Sequence, residues 1–303
     1  MSGRLILLAR LARPHFLLAG LGLYGLGAAY AVARGAPFEP TPVILGLLVV
    51  LCAQASLSYS NDYFDSEADR FTEPGLFSGG SGVLVRHPEL RPQAIRIAAS
   101  LTAASLVLGI VTWVTYRYSA AILALLAAGN LLAWFYAAPP LRLAYRGLGE
   151  LATAFTAGVL LPAMGVLVVR GSLLPGDLIW VPPLLAYGLC FILAVEIPDV
   201  EADRRATKRT LPARAGRGPA FLAIAACALI ATAWFSWQPR AFAPLDSRVL
   251  GGASLIPLAA AALAALRRPE ARGPATRLAN YIVVAVAVFF TLVDAYLVSL
   301  AGR

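Results

Sequence analysis

The sequence predicts an all-α fold, a polytopic membrane bundle of about nine transmembrane helices, and three observations carry that expectation. Of the 303 residues, 59% are hydrophobic and only 14% are charged, whereas soluble domains carry about 25% charged residues. Apolar stretches of roughly 20 residues, the length needed to cross about 30 Å of hydrocarbon, recur from one end of the chain to the other. The basic residues between them alternate in density from gap to gap, as expected of a chain that crosses a bilayer repeatedly. No polar stretch is long enough to fold separately, so a single membrane domain over residues 1–303 is expected.

The spans are delimited by charge clusters and fall in order at 16–33, 41–60, 93–115, 119–138, 149–169, 178–197, 219–238, 248–266 and 278–300. With the N-terminus cytoplasmic, only Arg34, Arg117, Arg170, Arg240, Arg248 and Arg303 fall on the outer side, and the other 19 of the 25 basic residues fall inside. That asymmetry sets the N-terminus inside and the C-terminus outside. An even number of spans would scramble it. The first span also resembles a secretory signal, with Arg4 to Arg13 as its basic region, but its removal would invert nothing downstream. The expected location is the plasma membrane of a bacterial or archaeal cell. The net charge of +9 does not indicate nucleic acid, because the basic residues sit in short clusters and form no continuous stripe. The sequence carries no signal of oligomeric state.

Cys52, Cys190 and Cys227 lie inside apolar stretches with no paired CxxC spacing, which reads as buried free thiols. His15 and His87 are too isolated to build a metal site and read as interface or loop histidines.

The acidic residues concentrate in two segments at the cytoplasmic ends of spans. Asn61-Asp62-Tyr63-Phe64-Asp65-Ser66-Glu67-Ala68-Asp69 follows the second span, and Glu196-Ile197-Pro198-Asp199-Val200-Glu201-Ala202-Asp203 follows the sixth. On a helix, Asn61, Asp65 and Asp69 share a face, as do Asp199 and Asp203. Like charges so spaced repel unless cations hold them ionised. Oxygen donors without His or Cys favour Mg²⁺, which takes one or two carboxylates, waters and substrate phosphates. The implied ligand is a metal-bridged diphosphate. Solvated turns explain one such segment, but two on one membrane face, next to hydrocarbon where carboxylates are costly, point to function. Arg204, Arg205, Lys208 and Arg209 follow the second segment; some anchor the membrane, and all carry charge suited to a departing diphosphate. Lys208 is the sole lysine.

The loop from Tyr136 to Glu150 ends a helix at Pro139-Pro140 and returns through Gly147 and Gly149. Its Tyr136, Arg142 and Glu150 lie on the same membrane face as the acidic segments and are candidate substrate contacts. Residues 77–84, Phe77-Ser78-Gly79-Gly80-Ser81-Gly82-Val83-Leu84, read as a flexible hinge or as a lid over the site. They do not match a Walker A loop.

The motifs NDxxDxxxD at Asn61, Asp62, Asp65 and Asp69, and DxxxD at Asp199 and Asp203, after spans two and six of nine, resemble those of the UbiA superfamily of intramembrane prenyltransferases. The resemblance covers essentially the whole chain. Within it, Arg13-Pro14-His15, Tyr136 through Glu150, and Asp203 through Leu211 are most similar to the 1,4-dihydroxy-2-naphthoate prenyltransferases of menaquinone biosynthesis. This chain departs in having Thr207 where relatives commonly have Gly, Gly82 where they have Arg, and Glu196 near where they have Asn. Pro140 stands where the superfamily has a lysine four residues after the span-four tyrosine, with Arg142 as its substitute.

The resemblance implies Mg²⁺-dependent transfer of a prenyl chain from an allylic diphosphate to an aromatic acceptor, with Asn61, Asp62, Asp65, Asp69, Asp199 and Asp203 as metal ligands. It implies diphosphate contacts from Lys208, Arg204 and Arg142, and catalytic roles for Asp65, Asp199 and Tyr136. Homogentisate, 4-hydroxybenzoate, porphyrin or chlorin, and glycerol-lipid acceptors remain alternatives, since one metal site serves them all. A cation-coupled transporter is the alternative of another class. It would place polar residues and broken helices at span midpoints, whereas here the acids lie at one face.

Overall fold

The computed structural model describes residues 2–73, 75–77, 80–237 and 245–301. Arg240 and Arg303 of the charge count, and Ser78 and Gly79 of the glycine-rich segment, lie outside the described residues. Among the described residues all regular structure is helical. A short helix α1 (Ser2–Leu11) precedes nine apolar helices that correspond to the nine expected spans: α2 (Pro14–Ala33), α3 (Pro40–Asp65), α4 (Arg91–Tyr116), α5 (Ala121–Phe135), α6 (Gly149–Arg170), α7 (Val181–Glu196), α8 (Arg217–Trp237), α9 (Ser247–Arg267) and α10 (Arg272–Ala301). Eight of the nine belong to segments long and apolar enough to cross a membrane. The exception is α5, whose 15 residues reach only about 22 Å at 1.5 Å per residue. The expected span at 119–138 is cut short because the turn carrying Pro139-Pro140, a proline pair that cannot continue a helix, begins immediately after α5.

Each helix packs on the next, and α10 returns to α2, so the spans form a closed ring. Across the ring, the second half of α6 lies along α2. Glycines permit that approach: a Cβ on Gly165 would sit 2.7 Å from Ala28 N, and one on Gly27 would sit 2.7 Å from the Pro162 carbonyl carbon. Close backbone contact of this kind is how helices associate where no water is available to drive them together. The π-helical turn Thr156–Leu160 and Pro162 interrupt α6 between its two halves, a known cause of redirected helices. The first half of α6 instead packs on α7.

An aromatic cluster closes the end of the ring opposite the acidic segments. Tyr30 meets Trp180 at 5.5 Å, Trp180 meets Phe235 at 5.8 Å, and Tyr187 meets Phe289 at 4.7 Å between ring centroids. Polar side chains join helices internally: Ser56 Oγ donates to Ala98 O, Ser105 Oγ to Val49 O, and Asn130 Nδ2 to Ser105 Oγ. On the outside, Leu18, Val107, Leu131, Ile230 and Val298 stand exposed, a surface suited to lipid. The three cysteines are free, with Cys190 buried and Cys52 and Cys227 only half-buried.

Alternation of the spans and the basic asymmetry together predict the orientation. Single cysteines at Glu67 and Thr207 should react with a membrane-impermeant thiol reagent only after cells are opened, whereas cysteines at Glu39 and Gly176 should react in intact cells. Strong labelling of position 67 or 207 in intact cells would reverse the assignment.

Candidate active site

The ring encloses a cavity of about 700 Å³. Its walls are mostly apolar, with Phe16, Leu57, Leu126, Leu160, Met164, Ile192 and Phe290 among them. Asn61, Asp62, Asp65, Asp69, Asp199, Asp203, Lys208 and Tyr136 all line it. Both acidic segments thus open onto one space, and the short helix Val200–Arg205 packs against the turn Ala68–Phe71.

The local geometry differs from the expected uninterrupted helical face. The α3 helix ends at Asp65, and Asp69 sits on the 3₁₀ turn Ala68–Phe71. In the second segment Pro198 lies in the 3₁₀ turn Ile197–Asp199, after which Val200–Arg205 resumes as helix. The breaks rotate the carboxylates out of strict i, i+4 register but keep them on the same cavity.

Asp65 is 5% exposed and accepts from Lys208 Nζ at 2.9 Å and from Tyr145 Oη at 2.8 Å. Asp62 accepts from Ser81 through both its backbone N–H and its hydroxyl. A Cβ at Gly80 would collide with the Asp69 carboxylate, so this end of the glycine-rich segment lies directly on the acidic residues. Thr210 Oγ1 donates to Asp203 at 3.0 Å. Burial pushes the Asp69 carboxyl up to about 8; Lys208 opposes the shift, and the like charges of Asp62 and Asp65 reinforce it. Burial works against the charge of Lys208, but Asp65, Asp203 and Asp69 outweigh it and raise the ammonium above its ordinary value. Tyr145 is held up to about 12 by burial and by the Asp65 charge, so it remains a donor.

The donor set fits a hard divalent cation. Asn61 Oδ1 is buried without a hydrogen-bond partner among the described residues, and burial together with the neighbouring carboxylates Asp62 and Asp65 raises Asp69, a shift that a bound cation would oppose. Among the described residues no group of three His, Cys, Asp or Glu side chains closes into a ready-made metal cage. Each acidic segment is a half-site, which suits ions that Mg²⁺-binding proteins share with substrate phosphates.

Lys208 reaches Asp65 because the chain reverses at Thr207, whose φ of 58° is left-handed, and Lys208 N then donates to Asp203 O at 2.9 Å. Thr207 is a β-branched residue in a conformation that favours glycine. Arg204 and Arg142 do not line the cavity. Arg204 is exposed and its Nε donates to Ala213 O at 2.7 Å, while the Arg142 guanidinium stacks on the outer side of Tyr145 at 3.8 Å from the ring centroid.

Several participants were not singled out from the sequence. Arg13 lines the cavity and interacts electrostatically with Asp62, Asp69 and Asp199; its signal was the Arg-Pro-His run. His15 also lines the cavity. Tyr145 was visible only as one aromatic of the proline loop. Arg217, counted only among the 19 inside basic residues, is buried and grips Glu201 through two nitrogens at 2.7 and 2.6 Å while its Nε donates to Ile197 O. Together with Arg272, whose Nε donates to Pro198 O at 3.0 Å, it fixes the second acidic segment to the bundle.

An apolar cavity in a membrane helix bundle, lined also by two sets of oxygen donors, fits an intramembrane enzyme. The chain belongs to the UbiA prenyltransferase family, whose model matches residues 22–296, and it is accordingly an integral membrane prenyltransferase. Among its relatives is the 1,4-dihydroxy-2-naphthoate octaprenyltransferase of Bacillus subtilis (strain 168), 24% identical over 232 residues, which span 75% of this chain and 72% of the relative. Its fold is similar to that of a UbiA homolog from Archaeoglobus fulgidus bound to DMAPP and Mg²⁺, with a TM-score of 0.72, 18% identity, and coverage of 97% of this chain and 99% of the other. A digeranylgeranylglyceryl phosphate synthase structure is similar at a TM-score of 0.70 and 17% identity, covering 99% and 100%.

Tyr145→Phe removes the hydroxyl donor to Asp65 and leaves the ring in contact with Arg142 and Lys208. Loss of one hydrogen bond to a charged group should lower kcat/KM about tenfold, with the melting temperature in detergent unchanged. Unaltered kinetics would show that Tyr145 does not position Asp65.

Proposed function

We propose that this protein transfers a prenyl chain from an allylic prenyl diphosphate to an aromatic acceptor resembling 1,4-dihydroxy-2-naphthoate, with Mg²⁺ as cofactor, in a bacterial or archaeal route to a membrane quinone. The observation that carries this reading is the convergence of the two acidic segments, with Lys208 and Arg13, on one apolar cavity. Bound Mg²⁺ would neutralise diphosphate charge and make it a better leaving group. Asn61, Asp62, Asp65 and Asp69 on one side, and Asp199 and Asp203 on the other, would hold it.

The chain's own groups have separable tasks. Lys208, ion-paired to Asp65 and 15% exposed, is within the site and supplies positive charge as the diphosphate departs. Arg13 adds a second cation, acting on Asp62, Asp69 and Asp199. Gly80 and Ser81, resting on Asp69 and Asp62, cover the carboxylates and help to exclude water, which a developing allylic cation cannot tolerate. The apolar walls continue that protection along the prenyl chain. Tyr136 lines the cavity, with its hydroxyl beside Gly149, and is a candidate contact for the acceptor. Arg204 and Arg142 remain candidates for contacts to a diphosphate only if its entry reorients them.

The naphthoate-like acceptor rests on the Bacillus subtilis relative and on the matching segments around Arg13, Tyr136 and Lys208. The cytoplasmic orientation of the site rests on the basic asymmetry.

Purified protein supplied with Mg²⁺, geranylgeranyl diphosphate and a panel of aromatic acceptors should form a prenylated 1,4-dihydroxy-2-naphthoate product, detected by mass spectrometry of the lipids. Asp65→Ala and Asp199→Ala should each lower turnover by at least about a thousandfold, corresponding to roughly 4 kcal/mol of lost transition-state stabilisation. Product formation without divalent cation, or near-normal turnover of either folded variant, would contradict the reading.

A further inference from the structure

The cavity wall carries a carboxylate far from the aspartates that diphosphate chemistry does not use. Asp294 is the last residue of α10 on that wall, as Leu23 is the last of α2. Asp294 Oδ2 would lie 3.6 Å from a Cβ on Gly22, and the Gln54 amide occupies the place where a side chain at Gly20 would stand. Asp294 and Gln54 thus reach α2 from α10 and α3, which both pack on it, and they do so at nearly one depth. At 1.5 Å per residue, Gly22 is about 13 Å along α2 from Arg13, and Gln54 is about 10 Å along α3 from Asn61.

Asp294 Oδ1 and Gln54 Oε1 are both buried without a hydrogen-bond partner among the described residues. Asn130 Oδ1 shares that condition, but its amide nitrogen is tied to Ser105 Oγ and Leu126 O. Among the described residues the basic side chains on the cavity wall are Arg13 and Lys208, and both act on the aspartates at the other end. Buried polar atoms are almost always bonded, and those left over call for a reason. A carboxylate inside a membrane is costly and normally marks function. A cavity of about 700 Å³ has room for water on both groups. A hydrocarbon tail long enough to lie against them expels that water and offers no hydrogen bond in return.

We propose that Asp294, with Gln54, gauges the length of the donor's prenyl tail by disfavouring tails that reach the level of Gly22. This rests on the prenyl-transfer reading above and names the part of the donor that the far end of the same cavity selects. A geranyl tail ends near that level, whereas a geranylgeranyl tail, twice as long, must pass it. The selection is made by an unfavourable contact, a polar group stripped of water. It therefore acts on how tightly a long donor binds, since the reacting carbon stays beside the aspartates whatever the tail length.

The test compares the parent with Asp294→Leu, Asp294→Asn and Gln54→Leu, all full-length and in detergent with Mg²⁺. Release of diphosphate from geranyl diphosphate and from geranylgeranyl diphosphate is followed without added acceptor, so that acceptor identity does not enter. The quantity read is the ratio of kcat/KM for the long donor to that for the short one, taken within each preparation so that the folded fraction cancels. Asp294→Leu is expected to raise the ratio about tenfold, the scale of one relieved polar desolvation, through a lower KM for the long donor. Asp294→Asn, still polar but uncharged, and Gln54→Leu should raise it less. An unchanged ratio in Asp294→Leu, or equal changes for both donors, would overturn the proposal and leave the prenyl-transfer reading standing. A parent that releases diphosphate from neither donor would remove that reading, and this proposal with it.

Discussion

The mutual repulsion of carboxylates gathered at the mouth of an apolar cavity is the constraint on which the rest of this molecule depends. Asp62, Asp65 and Asp203 are each at least nine-tenths buried, and charge so placed is unfavourable without compensation. The fold supplies part of the compensation through Lys208, Arg13, Tyr145, Ser81 and Thr210. The remainder, expressed in the raised Asp69 and the unpartnered Asn61 Oδ1, is what cations bound with an anionic substrate would provide. The site is therefore built to be incomplete until its ligands arrive.

Holding such a site requires rigid support, and the support comes from groups far from any chemistry. Arg217 and Arg272 fasten the second acidic segment to α8 and α10, while the glycine contacts of α2 with α6 and the aromatic cluster around Tyr187 and Trp180 close the opposite end. With the aromatic cluster at one end and the acidic segments at the other, a diphosphate head and an apolar tail have one sensible arrangement.

The spans were legible because an apolar run of about 20 residues between charges has few alternatives, and the acidic motifs were legible because carboxylates beside hydrocarbon are rarely idle. What spacing did not reveal came from breaks in the helices. The stop at Asp65 and the turn through Pro198 displace Asp69 and Asp199 from the simple helical face. The left-handed Thr207 brings Lys208 back into the site while Arg204, four residues earlier, faces outward to Ala213 O. Arg13 and Arg217 were hidden for a different reason: in a membrane protein, cytoplasmic arginines are expected in number, so charge count alone cannot separate an anchor from a ligand. The short α5 and the π turn in α6 likewise leave no periodic trace, since both depend on how a helix meets its neighbours.

The central claim is that the two acidic segments act as one unit on a single diphosphate, and the most direct measurement is a double-mutant comparison. Asp65→Asn, Asp199→Asn and the combined variant would be assayed for turnover and for Mg²⁺-dependent binding of a non-hydrolysable prenyl diphosphate analogue. Groups serving one step together lose activity non-additively, so the combined variant should be little worse than the worse single one, and Mg²⁺ should strengthen analogue binding only in the parent. Fully multiplicative losses, or tight Mg²⁺-dependent binding that survives both substitutions, would show that the segments do not share a diphosphate.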